Sequence, residues 1–189
     1  MKNPFKRFVR DESGITALET AIILIAFVVV AAIFAFTILS TGTFLTERSK
    51  EAAYAGLQEV RGSMELKGSV VLEDTGNYVV FTLATVAGGQ SVDLSKVKVM
   101  YRDSSNNVDV AYLAGTADPG DDQWIATTTD GATEVTILKS GELARFKVNP
   151  AQLIDKNRVF TLQITPPSGA VLTIERTAPA QIDQVTDLH

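Results

Sequence analysis

The chain of 189 residues contains no cysteine. That excludes disulfides, thiol nucleophiles and thiolate-ligated metals. Small exported domains often rely on disulfides, so an exported domain of this chain rests on its own core or on neighbours. Histidine is nearly as scarce: His189, the final residue, is the single copy. It reads as a solvated tail, which leaves no imidazole for acid–base catalysis. N-glycosylation sequons are missing too, because Asn77, Asn106, Asn107, Asn149 and Asn157 have no Ser or Thr two places on. Clusters of Lys and Arg are absent beyond residue 14, and the formal net charge is −5. A chain without a basic patch lacks the phosphate contacts that nucleic-acid binding requires.

Nucleotide chemistry finds no support either. Gly62–Ser69 (GSMELKGS) has Lys and Gly in the wrong order for a phosphate loop, with no strand before it. It reads as a linker from helix to strand, and Gly88-Gly89 as a turn. No internal repeat or low-complexity segment is present. No pairing of acid and base groups stands out, so the expectation is a protein that is not an enzyme and holds no cofactor. The best alternative is the loop ADPGDDQW, where Asp118, Asp121 and Asp122 cluster as hard oxygen ligands suited to Ca²⁺ or Mg²⁺. The spacing departs from an EF-hand loop, and aspartates favour turns for backbone reasons alone. A structural turn is the leading reading of these three residues. Thr127–Thr129 would suit O-glycans, which sequence does not decide.

What the chain does have is one long apolar block. From Ile15 to Leu39 the polar residues are Thr16, Glu19, Thr20 and Thr37, and Ala21–Phe36 contains none. As a helix this block is about 37 Å long, enough to cross a hydrocarbon core of about 30 Å. Ahead of it stand Lys2, Lys6, Arg7 and Arg10, then Asp11-Glu12-Ser13-Gly14. An ordinary secretory signal has a shorter apolar core ending in a small-residue site, and neither property holds here. A plain anchor would account for the hydrophobicity but not for Gly14 or Glu19. A lone carboxylate inside a spanning segment costs on the order of 2.5–3.5 kcal/mol, so Glu19 needs a partner. A cut after Gly14 supplies one: the new ammonium of Ile15 lies one helical turn from Glu19. It would also remove four basic and two acidic side chains, taking the formal charge from −5 to −7.

A basic leader, a small residue before the cut and Glu five places after it form the class III signal of type IV pilin-like proteins. Within that group, ITALETAIILIAFVVVAAIFAFTIL followed by STGTFLTERSKEAAYAGLQEVRGSMELKGSVV resembles the archaeal flagellins, or archaellins. The similarity covers about the first 70 residues closely, and VFTLQITPPSGAVLTIERTAPA is similar more loosely to archaellin C-terminal tracts. The resemblance implies leader removal between Gly14 and Ile15 by a prepilin-type membrane peptidase. It implies transient membrane insertion of the precursor, then an extracellular helical homopolymer, with or without sister archaellins, turned for swimming by a separate membrane platform and motor. Glu19 would be retained for assembly. Ile22, Ile23, Ile25, Phe27, Val28, Val29, Ile33 and Phe34 would form the helix–helix core, with Ala21, Ala26, Ala31 and Ala32 permitting close approach. An adhesion pilus subunit and a membrane-anchored surface binding domain are the alternatives.

Beyond Leu39, Ser40–Thr43 reads as a polar interruption suited to a bend. Leu45, Ala52, Ala53, Leu57, Val60 and Met64 then recur at helical spacing against a charged face. The expected helix is 15–64, amphipathic in its second half, with that half covered by the following domain or a neighbour. After the linker Glu65–Gly68, strands are expected at 69–73, 78–86, 97–101, 108–113, 124–128, 134–138, 144–148, 160–165 and 170–176. Turn residues separate them: Asp74–Asn77, Ser104–Asn107, Asp118–Asp122, Asp130-Gly131 and Pro166–Gly169. The fold class is therefore α+β: a long apolar helix, then an antiparallel β-sandwich over 65–189, which the resemblance makes immunoglobulin-like. The processing reading has a direct check: N-terminal sequencing with intact mass of chains sheared from the cell surface finds Ile15 first. Retention of 1–14 in surface polymers overturns it.

Overall fold

In the computed structural model the backbone is described for residues 9–188 and side chains for 15–188. Lys2, Lys6, Arg7, the Arg10 side chain and His189 lie outside the described residues. The fold divides into two compact units, one running up to Ala53 and the other from Tyr54 onward.

Helix α1 spans Val9–Arg61. No proline interrupts it, and several of its Thr and Ser hydroxyls turn inward onto its own backbone. Thr20 donates to Thr16 O at 2.8 Å, Thr37 to Ile33 O at 2.8 Å and Thr46 to Gly42 O at 2.8 Å. Hydroxyls satisfied in this way do not break the ladder. The helix therefore continues through Ser40–Thr43, the weak polar stretch within the expected helix. It ends at Arg61, three residues before the expected Met64.

Glu65–Gly68, read as a linker, is instead the first half of strand β1, Met64–Glu73. Its pairing shifts between Lys67 and Val71, and Gly68 at that shift has φ of 80°. A bulge with a left-handed glycine explains the misreading, because it breaks the alternation that marks a strand. The remaining strands are β2 (Tyr78–Thr85), β3 (Val92–Asp93), β4 (Lys98–Asp103), β5 (Asn107–Tyr112), β6 (Gln123–Thr127), β7 (Ile137–Leu138), β8 (Leu143–Asn149), β9 (Val159–Thr165), β10 (Leu172–Thr177) and β11 (Val185–Leu188). The strand expected at 134–138 shrinks to β7 and one bridge between Thr127 and Glu134.

Hydrogen bonding runs in the order β10-β9-β4-β5-β6-β8-β2-β1-β11, with β3 and β7 paired apart. All pairings are antiparallel except β5 with β6, where Ala111 meets Gln123 and Tyr112 meets Trp124 in parallel. Strand β5 pairs with β4 through Val110 and with β6 beyond it, so it passes between the two leaves of the sandwich. Both leaves feed a single core: Leu72, Phe81, Leu83, Phe146 and Val148 from one, Val99, Tyr101, Leu162 and Ile164 from the other. The alternation in β4 and β9 is as the sequence indicated, with Val99, Tyr101, Phe160, Leu162 and Ile164 buried.

Four aromatic rings cross the seam in a row. Phe81 stacks on Phe146 at 5.5 Å, Phe146 on Trp124 at 5.1 Å, and Trp124 meets Tyr112 at 4.9 Å. Contacts of this kind add about 0.5–1.5 kcal/mol each beyond their buried area. The row runs through β2, β8, β6 and β5, and so reinforces the parallel junction where only two residue pairs align.

The other fixed point is polar. Asp103, whose side chain is 1% exposed, accepts from the backbone N–H of Ser105 and Asn106 at 2.6 and 2.7 Å and from Arg158 at 3.2 Å. Burial opposes its ionisation, but these donors outweigh burial and hold its carboxyl below the usual range. The clamp joins the β4–β5 turn to the segment before β9. Its stability contribution is full above the unfolded carboxyl value of about 3.9 and is lost as pH falls from there through the lower folded value. Asp103→Asn is expected to cost about 1.5–3 kcal/mol at neutral pH. It also flattens the acid side of the stability profile, measured by unfolding the full chain in detergent across pH.

Candidate functional site

Every described side chain from Ile15 to Arg61 is exposed. The residues expected to form a helix–helix core, Ile22, Ile23, Ile25, Phe27, Val28, Val29, Ile33 and Phe34, range from 50% exposed at Val29 to 75% at Phe27. At 100° per residue they lie on all sides of the helix rather than along one stripe. Ile22, Ile25, Val29 and Ile33 follow one face, and Ile23, Phe27 and Phe34 another. A helix apolar all round belongs in a bilayer or a bundle of helices. This helix is long and apolar enough to cross a membrane.

Within this surface Glu19 is exposed, with Ile15, Ile22 and Ile23 one turn away on either side. Gly14 and Ile15 lie inside α1, so the backbone at the proposed cut is helical. The amphipathic half behaves like the rest: Leu45, Tyr54, Leu57 and Val60 are 52–67% exposed. The β domain does not cover Tyr54, Leu57 or Val60, although they belong to the same compact unit. Met64, the last residue of the expected stripe, is instead the first residue of β1 and is buried in the core of the β domain.

The Asp118 loop is held by turn and ion-pair contacts. Lys147 donates to Asp118 Oδ1 at 2.6 Å and lies 3.6 Å from Glu73, with its ammonium 4.1 Å from the centre of the Tyr78 ring. Glu73 also binds Arg145. Gly120 N donates to the Gln123 side chain, and Asn149 donates to Pro119 O. Asp121 is exposed, and Asp122 is half-buried in a left-handed conformation with φ of 54°. Among the described residues, no three Asp, Glu, His or Cys side chains form a group able to hold a metal ion. Two clusters had no clear signal in the sequence, namely the Asp103–Arg158 clamp and the Lys147 network. Asp103-Ser-Ser-Asn, an aspartate-led turn, was the one available hint.

The archaeal-type flagellin family model matches residues 14–176. The chain belongs to the archaeal-type flagellin family. Among curated relatives, Probable flagellin 1 of Archaeoglobus fulgidus is 33% identical over 95% of this chain and 96% of its own. Probable flagellin 1 of Aeropyrum pernix is 32% identical over 92% and 95%. Among solved structures, the archaeal flagellum of Methanospirillum hungatei strain JF1 aligns with a TM-score of 0.63 at 24% identity, covering 90% of this chain and 97% of that one. The crystal structure of archaeal flagellin FlaB1 from Methanocaldococcus jannaschii aligns at 0.55 and 19% identity, over 66% and 95%. These two likenesses carry the fold: a long apolar helix followed by a β domain.

The Asp118–Lys147 pair is mostly exposed on the acid side, at 68% against 18% for Lys147. Such pairs contribute about 0–1 kcal/mol. Asp118→Asn is therefore expected to shift thermal unfolding slightly, and by the same amount with Ca²⁺ or with chelator. A Ca²⁺-dependent rise in the parent that the variant loses would mark an ion site instead.

Proposed function

We infer that the chain is a structural subunit of the archaellum filament, polymerising through α1 for swimming motility. The observation that carries this is a helix that is apolar on every face from Ala21 to Phe36 and exposed along its whole described length, in a chain of the flagellin family. Burying one Ile, Val or Phe side chain is favourable by about 1.5–3 kcal/mol. Eight such residues per subunit supply a strong drive to self-association of the apolar half of the helix. A helical polymer needs a contact that does not close on itself, which a helix with apolar character all round provides.

The finer reading is as follows. The precursor sits in the cytoplasmic membrane by its apolar helix, and a membrane peptidase cuts between Gly14 and Ile15. Cleavage requires an extended backbone, so the helix unwinds there first. Glycine at the cut lowers that barrier, being about 1 kcal/mol poorer than alanine in a helix. The freed ammonium, its own or a neighbour's, neutralises Glu19 once the subunit leaves the bilayer for the filament core. The platform and the energy source belong to other proteins, and this chain transmits torque passively without catalysis. The β domain remains outside.

Two substitutions test it in a strain lacking the native gene. Ile33→Asp places a carboxylate in the helix core at a cost on the order of 2.5–3.5 kcal/mol and should abolish filaments by electron microscopy, with processed subunit still present in membranes. Glu19→Gln should reduce filament yield while cleavage continues. Normal filaments and swimming from Ile33→Asp would overturn assembly through α1.

A further inference from the structure

A helix leaves its last four carbonyl groups without intrahelical donors. For α1 these belong to Gln58, Glu59, Val60 and Arg61, and each has a donor. Gly62 N donates to Gln58 O at 2.9 Å and Ser63 N to Val60 O at 3.2 Å. The Ser63 hydroxyl donates to Glu59 O at 3.0 Å. Arg61 O accepts from Gln90 N at 2.8 Å, which comes from the loop between β2 and β3. Two more donors of the β domain reach the same place: Val86 N to Ser63 O at 3.2 Å, and Ala170 N to the Ser63 hydroxyl at 3.0 Å. Residues 61–63 are thus bonded to two separate loops, one leaving β2 and one joining β9 to β10. Those loops belong to opposite leaves of the sandwich.

The approach is so close that only glycine fits. A Cβ on Gly62 would stand 2.2 Å from Ser168 O. One on Gly169, whose φ is +114°, would stand 2.4 Å from the Gly62 carbonyl carbon. One on Gly89 would stand 2.8 Å from Arg61 O. Most of these neighbours are backbone atoms, which cannot swing aside as a side chain would. All of this lies within the unit that begins at Tyr54.

We propose that Gly62, Ser63, Gly89 and Gly169 form a backbone latch that fixes the last turn of α1 to both leaves of the β domain, so that the helix-to-strand junction is a rigid coupling and not a hinge. A Gly-Ser pair after a helix would ordinarily supply a flexible joint. Here Gly62 instead admits a second backbone, and the Ser63 hydroxyl binds on both sides. Resting on the filament reading, the consequence is that rotation delivered to the end of the helix passes to the outer domain without slack.

The experiment is hydrogen exchange, read at single amides of the full chain in detergent and in filaments. In the parent chain the amides of Val86, Gln90 and Ala170 are expected to be protected well beyond loop rates. Ser63→Ala should speed exchange at Ala170 about fivefold, as for loss of one hydrogen bond, with Phe146 and Leu162 unchanged. Gly62→Ala should open all three latch amides together. Should that variant unfold the whole domain, Ser63→Ala decides. Loop-rate exchange at the three amides in the parent, or protection at Ala170 unchanged by Ser63→Ala, overturns the latch. Protection in detergent from a chain that forms no filaments would sink the filament reading and leave the latch standing.

Discussion

An α-helix closes its backbone hydrogen bonds within itself, whatever solvent surrounds it, whereas an open sheet edge needs water or a partner. The division of this chain depends on that difference. The first half of α1 carries an apolar surface on all sides, so it suits a bilayer or a bundle of helices without exposing an unpaired amide. The strands that follow keep edges at β10 and β11 and can do neither. Apolar character is placed where the backbone tolerates two environments, and polar loops where it tolerates one.

The β domain has no disulfide to hold it and uses three other devices. A row of aromatic rings crosses the seam where β5 changes leaf, at the one parallel pairing in the sheet. A buried carboxylate, Asp103, ties two loops through backbone amides and Arg158. Backbone contacts at Gly62 and Gly169 join the end of the helix to the sandwich. Each binds segments far apart in sequence, which is the task a disulfide performs in other small exported domains.

Much of the exposed apolar surface of α1 was legible from local order. A run of 16 residues without a polar side chain, Ala21–Phe36, admits few readings, and Phe27 and Ile33 within it are exposed. Glu19 stood out because a charge there is anomalous against its neighbours. The Asp118 loop was harder, since clustered aspartates suit both ions and turns. The contact that the structure adds there, Lys147, lies 29 residues away in β8. The covering of Tyr54, Leu57 and Val60 was undecidable from periodicity alone, because an apolar stripe names no partner.

What the sequence determined by itself is whatever depends on neighbours a few residues apart. That includes the continuous helix, the alternation in β4 and β9, most turns, the absence of thiol and imidazole chemistry, and a single apolar segment with one carboxylate in it. What only the tertiary structure decided depends on pairing at long range. The bulge at Gly68 turned a supposed linker into strand, and the two-residue strand β3 and the four-residue strand β11 exist because other strands receive them. The passage of β5 between leaves and the latch at Gly62 follow the same rule. Local propensity is weak in such segments, and hydrogen bonding with distant backbone supplies the free energy that orders them.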